Sequence, residues 1–369
     1  MVFQQLILLL SIFAIAFPCW AQSRPLRITY ISSNAPAFWQ KTRVFAQEVA
    51  GDLGIELTIV SAENRFEKLQ AVDNIIASEQ KPDYLIFSFP RNAGVAMLEK
   101  TDRAGIDTFL VNSEIPQTEK AAAGEPRGKY KHWLGHMYPD DKEVGYSLAD
   151  FLIGEAKDLR LNSRPLEMVG VGGPATHLPA TLRNAGLRQR VSKDSDVALQ
   201  RIASTQWLNS GPAVTSLFKL YPDLKVVWTA SDRLALECIE AASALGKVAG
   251  KDFITGGIDW SEEGLQAIKD GSLAISYGGH HMEAGWAIIL LYDYSRGLDF
   301  IDDIGTTIDT SLMPVSRENI TLFNEVFSDG HWKRVDFRRF SKSATPQLEH
   351  YQFNVGKVFS EYKTHQSGQ

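Results

Sequence analysis

Arg183 has the side chain best equipped to grip a small polar ligand. A guanidinium presents a rigid fork of donors that fits adjacent hydroxyls or a carboxylate. Asp232 and Asp259 each follow an apolar run and precede a helical one. Each is therefore either a helix cap or an acceptor for two hydroxyls, and Ser231 shares that choice with Asp232. Asn112 closes another apolar run with an amide that both donates and accepts; Asn34 and Glu114 are weaker candidates of the same kind. Phe38 and Trp39 offer flat apolar faces at little entropy cost. Such groups can hydrogen-bond to and stack against a small polar molecule. No Ser/His/Asp set, Cys/His set or pair of catalytic carboxylates stands out, so the chain reads as non-enzymatic. His280 and His281 are adjacent, so their rings point apart, and no third ligand is spaced to complete a metal site. His280 reads as a rim or hinge residue within reach of ligand. Gly170-Val171-Gly172-Gly173 lacks GxGxxG spacing and reads as a tight turn. No cofactor and no metal is expected.

Alternating strands and helices position these groups. Leu26–Ile31 is a short apolar strand, followed by a polar loop, and then by Val44, Phe45, Val49 and Leu53 at helical spacing until Gly54. Leu57–Val60, Tyr84–Phe87 and Thr108–Val111 continue the strands; Phe66, Leu69, Val72 and Ile76 form one helix face between them. This alternation predicts a doubly wound parallel sheet. Ligands bind such sheets at the carboxyl ends of the strands, which puts Asn34, Phe38, Trp39, Ser88 and Asn112 on one rim. From Leu166 the alternation starts again, with strands at 166–171, 197–202, 226–229, 253–257 and 274–277. Two modules without a Gly/Ser linker predict two similar α/β lobes, with the chain passing between them several times.

The composition is that of an ordinary globular chain of 369 residues, 44% hydrophobic and 22% charged. A net charge of −6 argues against nucleic acid as a partner. Leu6–Phe17 is an apolar run, and Cys19-Trp20-Ala21 is a small-x-small pattern, so residues 1–21 read as a cleaved signal peptide and the mature chain as periplasmic. Cleavage leaves Cys238 as the only cysteine, in the apolar helix 234–244, where it reads as a buried structural thiol. Pro116–Lys131 reads as a surface insertion on the rim. The aromatic, charged tail from Asn319, with a hairpin turn at Asp329-Gly330, reads as packed on the lobes or the hinge.

The ordered series of these segments resembles the type I periplasmic binding proteins of the ribose-binding and LacI-like superfamily, over residues 26–315. The segments that carry the resemblance are Asn34–Trp39, Lys81–Phe87, Leu182–Leu187, Thr229–Leu236 (with Glu237 where glycine is usual), Gly256–Asp259 and Ala267–Leu273. Within that superfamily the Asp83–Phe87 strand, the Asn112-to-Pro116 spacing and the following insertion resemble the periplasmic autoinducer-2 receptors. Gly279 and Ile258 stand near positions where those receptors carry arginine and tryptophan. The resemblance implies a two-lobed trap that closes on a small polar ligand, a sugar or polyol first. Phe38 with Trp39 would be the stacking pair of one lobe, and Trp207 the stacking ring of the other. It also implies a membrane partner, either an ABC permease for uptake or, as the alternative, a kinase, cyclase or chemoreceptor for which this chain is the sensor subunit. A monomer is expected. The lobes would comprise 26–138 with 279–308 and 139–278 with 309–335, leaving 336–369 as a C-terminal extension. The export signal and the lack of a helix-turn-helix exclude a LacI-type repressor.

Overall fold

The computed structural model describes residues 24–35, 38–159, 161, 165–327 and 331–367. The expected signal peptide, Pro36-Ala37 and the turn at Asp329-Gly330 lie outside the described residues. Strands β1 (Arg27–Ser32), β2 (Glu56–Ser61), β3 (Tyr84–Phe87), β4 (Asp107–Val111) and β5 (Trp133–Pro139) belong to a first sheet. Strands β6 (Leu166–Gly172), β7 (Val197–Ser204), β8 (Val226–Thr229), β9 (Ile254–Ile258) and β10 (Ile275–Gly278) belong to a second. Of the last two, β11 (Thr307–Thr310) joins the first sheet and β12 (Met313–Ser316) the second. The orders are β11-β5-β4-β3-β1-β2 and β12-β10-β9-β8-β6-β7. Every pairing is parallel except β12 on β10. The chain therefore passes between the sheets after β5, after β10, and between β11 and β12.

The strands form because helices cover both faces of each sheet. β3 and β8 are four consecutive buried residues each, YLIF and VVWT, the continuous apolar run of a parallel strand buried on both faces. Two helices of the second lobe, Asp141–Asp158 and Leu178–Val191, cross with their backbones in contact. A Cβ on Gly145 would run into the Arg183 backbone, and one on Gly186 into the Lys142 carbonyl. Only glycine permits this crossing, and it carries Arg183 to the start of the neighbouring helix.

Two expectations are corrected. Phe66 does not face the core: it is 68% exposed, with the Arg65 guanidinium 4.8 Å above its ring. It stands in the first turn of the helix Arg65–Ala77, and helical side chains lean toward the N-terminus, here toward the rim. The stretch 116–131 is not a loose insertion either. It holds the helix Gln117–Ala123 and a buried Tyr130, and Arg127 makes a two-pronged bond to Asp299 at 2.6 and 2.8 Å.

The tail packs as its aromatics require. Phe337 and Phe340 are buried with Phe45 and Trp286, Phe353 stacks on Trp286 at 5.1 Å, and Phe359 of the helix Val355–Ser367 meets Phe327 at 5.2 Å. Trp332 lies in a short 3-10 turn, His331–Arg334.

Candidate functional site

The carboxyl ends of both sheets line one cleft of about 1290 Å³. Eight of the expected site residues meet there: Phe38, Trp39, Asn112, Arg183, Trp207, Ser231, Asp259 and His280. The other two do not. Asn34 is exposed beside the rim; its amide accepts from Ser61 Oγ at 2.6 Å and its N–H donates to Glu63. Asp232 is fully buried beneath the cleft, because it is the first residue inside the helix Asp232–Ser243 and turns inward. Glu114, the weaker candidate, is taken up by an ion pair with Lys120 at 2.5 Å.

The two strand-end aspartates thus have different roles, and neither is a cap. Ser231 and Ser261 cap the helices that follow, accepting from Leu234 N and Gly264 N. Asp232 accepts from Ser276 Oγ at 2.6 Å and Ser261 N at 2.7 Å, which fixes the loop carrying Asp259. Burial, with Asp259 nearby, pushes the Asp232 carboxyl up to about 7. Asp259 keeps its carboxylate at the cleft surface, 21% exposed, and accepts no hydrogen bond among the described residues. The imidazole of His280 approaches it to 3.4 Å through Nε2, and the guanidinium of Arg183 to 3.8 Å through Nη1. Asp259 has φ 122° and Trp260 φ 52°, a strained pair at the edge of the cleft. Trp260 is held by its indole bond to the Ser276 carbonyl at 3.1 Å, and Gly278 leaves room for that ring. Gly279 sits at φ 119°, a backbone that strains any arginine placed there.

Arg183 is buried and already oriented. Its Nε donates to Asp141 Oδ1 at 2.7 Å and its Nη1 to the Ala230 carbonyl at 2.9 Å. Burial works against the charge, but Asp141, Asp259 and Asp232 overcome it and hold the guanidinium above its ordinary value. The remaining N–H groups are available to a ligand between Arg183 and Asp259. Asn112 faces them from the other lobe in left-handed backbone, φ 68°. Its N–H donates to Glu283 at 2.7 Å and its Nδ2 to the His280 carbonyl at 3.3 Å, leaving the amide oxygen for a hydroxyl.

Aromatic rings close the two ends. Phe38 stacks on His280 at 4.6 Å and meets Trp39 edge-on at 5.3 Å. On the opposite wall Trp207 lies over Gly173, where a Cβ would strike its ring. The Trp207 indole donates to His177 Nδ1 at 2.8 Å, and burial pushes His177 below its ordinary value, which keeps the ring neutral and able to accept. His281 turns away from the cleft into the rings of Phe45, Trp260 and Trp332. Among the described residues no group of three His, Cys, Asp or Glu is placed to hold a metal. Cys238 is buried, and burial raises its thiol well above the ordinary range.

Sequence reasoning passed over Lys68, Arg91, Asn92 and His177, all of which line the cleft. Lys68 lies on a helix that read as a core-facing element, and Arg91-Asn92 lie in the loop between β3 and the next helix. The signal that could have found them is their place past the carboxyl ends of strands β2, β3 and β6.

A cleft between two doubly wound lobes, with aromatic ends and a buried cation facing an open carboxylate, defines a protein that traps a small ligand between its lobes. Residues 28–299 match the periplasmic binding protein domain model, and the chain belongs to that family. It is 22% identical over 316 residues to the galactofuranose-binding protein YtfQ of Escherichia coli (strain K12), covering 84% of this chain and 94% of that protein. It is likewise 22% identical over 245 residues to the ribose import binding protein RbsB of the same organism, covering 66% and 75%. Among solved structures, a periplasmic sugar-binding protein from Pseudomonas fluorescens superposes with a TM-score of 0.80 at 27% identity, covering 90% of this chain and 99% of that one.

Proposed function

We propose that this chain is a periplasmic solute receptor that closes on a sugar or polyol and delivers it to an ABC-type permease. The observation that carries the reading is Asp259. Its carboxylate stands at the cleft surface and accepts no hydrogen bond among the described residues, beside a guanidinium already fixed by Asp141. A carboxylate and a guanidinium side by side take a pair of hydroxyls as acceptor and donor, through hydrogen bonds to charged groups, the stronger kind. Phe38 and Trp207 supply the faces for the C–H side of the ring. The relatives support the same class, since their names specify galactofuranose and ribose. Closure is a population shift toward the state in which both walls touch the ligand. The test is isothermal titration of the mature protein with galactose, ribose, allose, arabinose and myo-inositol, alongside small-angle scattering. One-to-one binding with a smaller radius of gyration on saturation is expected; binding without compaction would contradict the trap, and no binding across the panel would contradict the ligand class.

A further inference from the structure

The cleft has a charge of its own. In a chain of net charge −6, its lining holds six lysine and arginine side chains against three carboxylates. Most of the second-lobe charge is matched. Arg183 is bound to Asp141, and Arg233 pairs with Glu237 at 3.1 Å. Lys41 donates across to the Trp260 carbonyl. The excess falls on the first-lobe wall. Lys68 Nζ makes one hydrogen bond among the described residues, to Ser88 Oγ at 2.7 Å, although an ammonium carries three donors. The carboxylate facing it is Glu63, but the Glu63 oxygens are held by Ser33 Oγ and Asn34 N, each at 2.5 Å. Arg91 follows Ser88 on the same rim segment, lines the cleft, and makes no side-chain bond among the described residues.

We propose that the ligand is an acidic sugar or polyol, carrying a carboxylate or phosphate group, with its hydroxyls against Asp259 and Arg183 and its acid group against Lys68 and Arg91. This rests on the sugar-receptor reading and narrows it. Glu63 acts on the half-buried Lys68 ammonium through charge without accepting a hydrogen bond from it; an anion in the cleft supplies that acceptor, and a positive cleft in a negative protein concentrates such a ligand at its mouth. Burial pushes Lys68 down to about 8, so its ammonium is charged at neutral pH and loses that charge above it, while the Arg91 guanidinium stays charged.

The test is titration with matched pairs: galactose against galacturonate, and ribose against ribose 5-phosphate. The acid member of at least one pair is expected to bind roughly tenfold tighter or more, the worth of one hydrogen bond to a charged group. The uronate and phosphate arms distinguish the two acid groups. Lys68→Met should cut the acid-to-neutral ratio by most of its value while neutral binding persists. Arg91→Gln, at an exposed position, should reduce the ratio by a smaller factor, and so keeps the test open if the first variant misfolds. Raising the pH from about 7 to about 9 should weaken only the acid ligand. A neutral member that binds as tightly as its acid partner would overturn the acidic ligand and leave the sugar receptor standing. No binding by any member would overturn both.

Discussion

Asp293 and Asp259 are two carboxylates of the same chain with opposite surroundings. Asp293 is fully buried and accepts from Ser341 Oγ, Lys342 N, Ser343 N, Ser343 Oγ and Tyr351 Oη at 2.5–3.1 Å. All five donors come from residues 341–351, so this carboxylate ties that segment to the helix Glu283–Tyr294. Asp259 sits on strained backbone at the cleft and accepts no hydrogen bond among the described residues, with only His280 and Arg183 approaching it at 3.4 and 3.8 Å. A buried polar group with every lone pair answered holds a structure together. One left open at a cleft, with its backbone held by neighbours, is prepared for something that arrives later. Arg183 stands between the two cases, since one edge of its guanidinium is committed to the fold and the other faces the cleft.

Substitutions that separate holding from binding sharpen this comparison. The largest effect is expected for Asp293→Ala, which strands five donors and should lower the unfolding free energy by about 3–5 kcal/mol in urea. Ligand affinity of the molecules still folded should be nearly unchanged. Arg183→Met should cost about 3 kcal/mol of stability, because it leaves Asp141 buried without its partner, and it should also abolish binding. A loss in only one of the two would break the intermediate role assigned to Arg183.

The pH dependence of stability tests Asp232. Its carboxyl is raised to about 7 in the fold, so the fold favours the protonated form. The stability it contributes is complete below the unfolded carboxyl value and is lost as pH rises toward 7. Between about pH 5 and 7 the wild type should lose about 2 kcal/mol more than Asp232→Asn, an upper figure for a fully buried group. Equal slopes would count against a buried titrating aspartate. The smallest effect is Trp207→Ala, expected to weaken binding by about 1–2 kcal/mol with little change in stability, because the ring packs on the rim.

The strand series was legible because parallel strands are apolar runs bounded by polar loops, and that pattern survives in one dimension. The site was legible where a residue type is scarce at a strand end, as with Asn112 and Asp259. Asp232 and Asp259 could not be told apart in the same way. Each precedes a helix, and the difference depends on Ser231 and Ser261 taking the caps and on Ser276 reaching Asp232 from another strand. Lys68 was hidden for a related reason. A lysine on an amphipathic helix looks solvated until its neighbour across the sheet, Ser88, turns it toward the cleft. The tail's aromatics announced packing, but the partner they depend on, Asp293, lies 48 residues before Ser341.

The most direct test of the open carboxylate is a thermal-shift titration of the wild type and Asp259→Asn, side by side, with a sugar that binds the wild type. At a hundredfold excess over the dissociation constant the wild type should gain about 2.7 kcal/mol of apparent stability. The variant should melt at the wild-type temperature without ligand and lose the gain with it. A variant that melts far lower without ligand, or that keeps the full shift, would contradict the role given to Asp259.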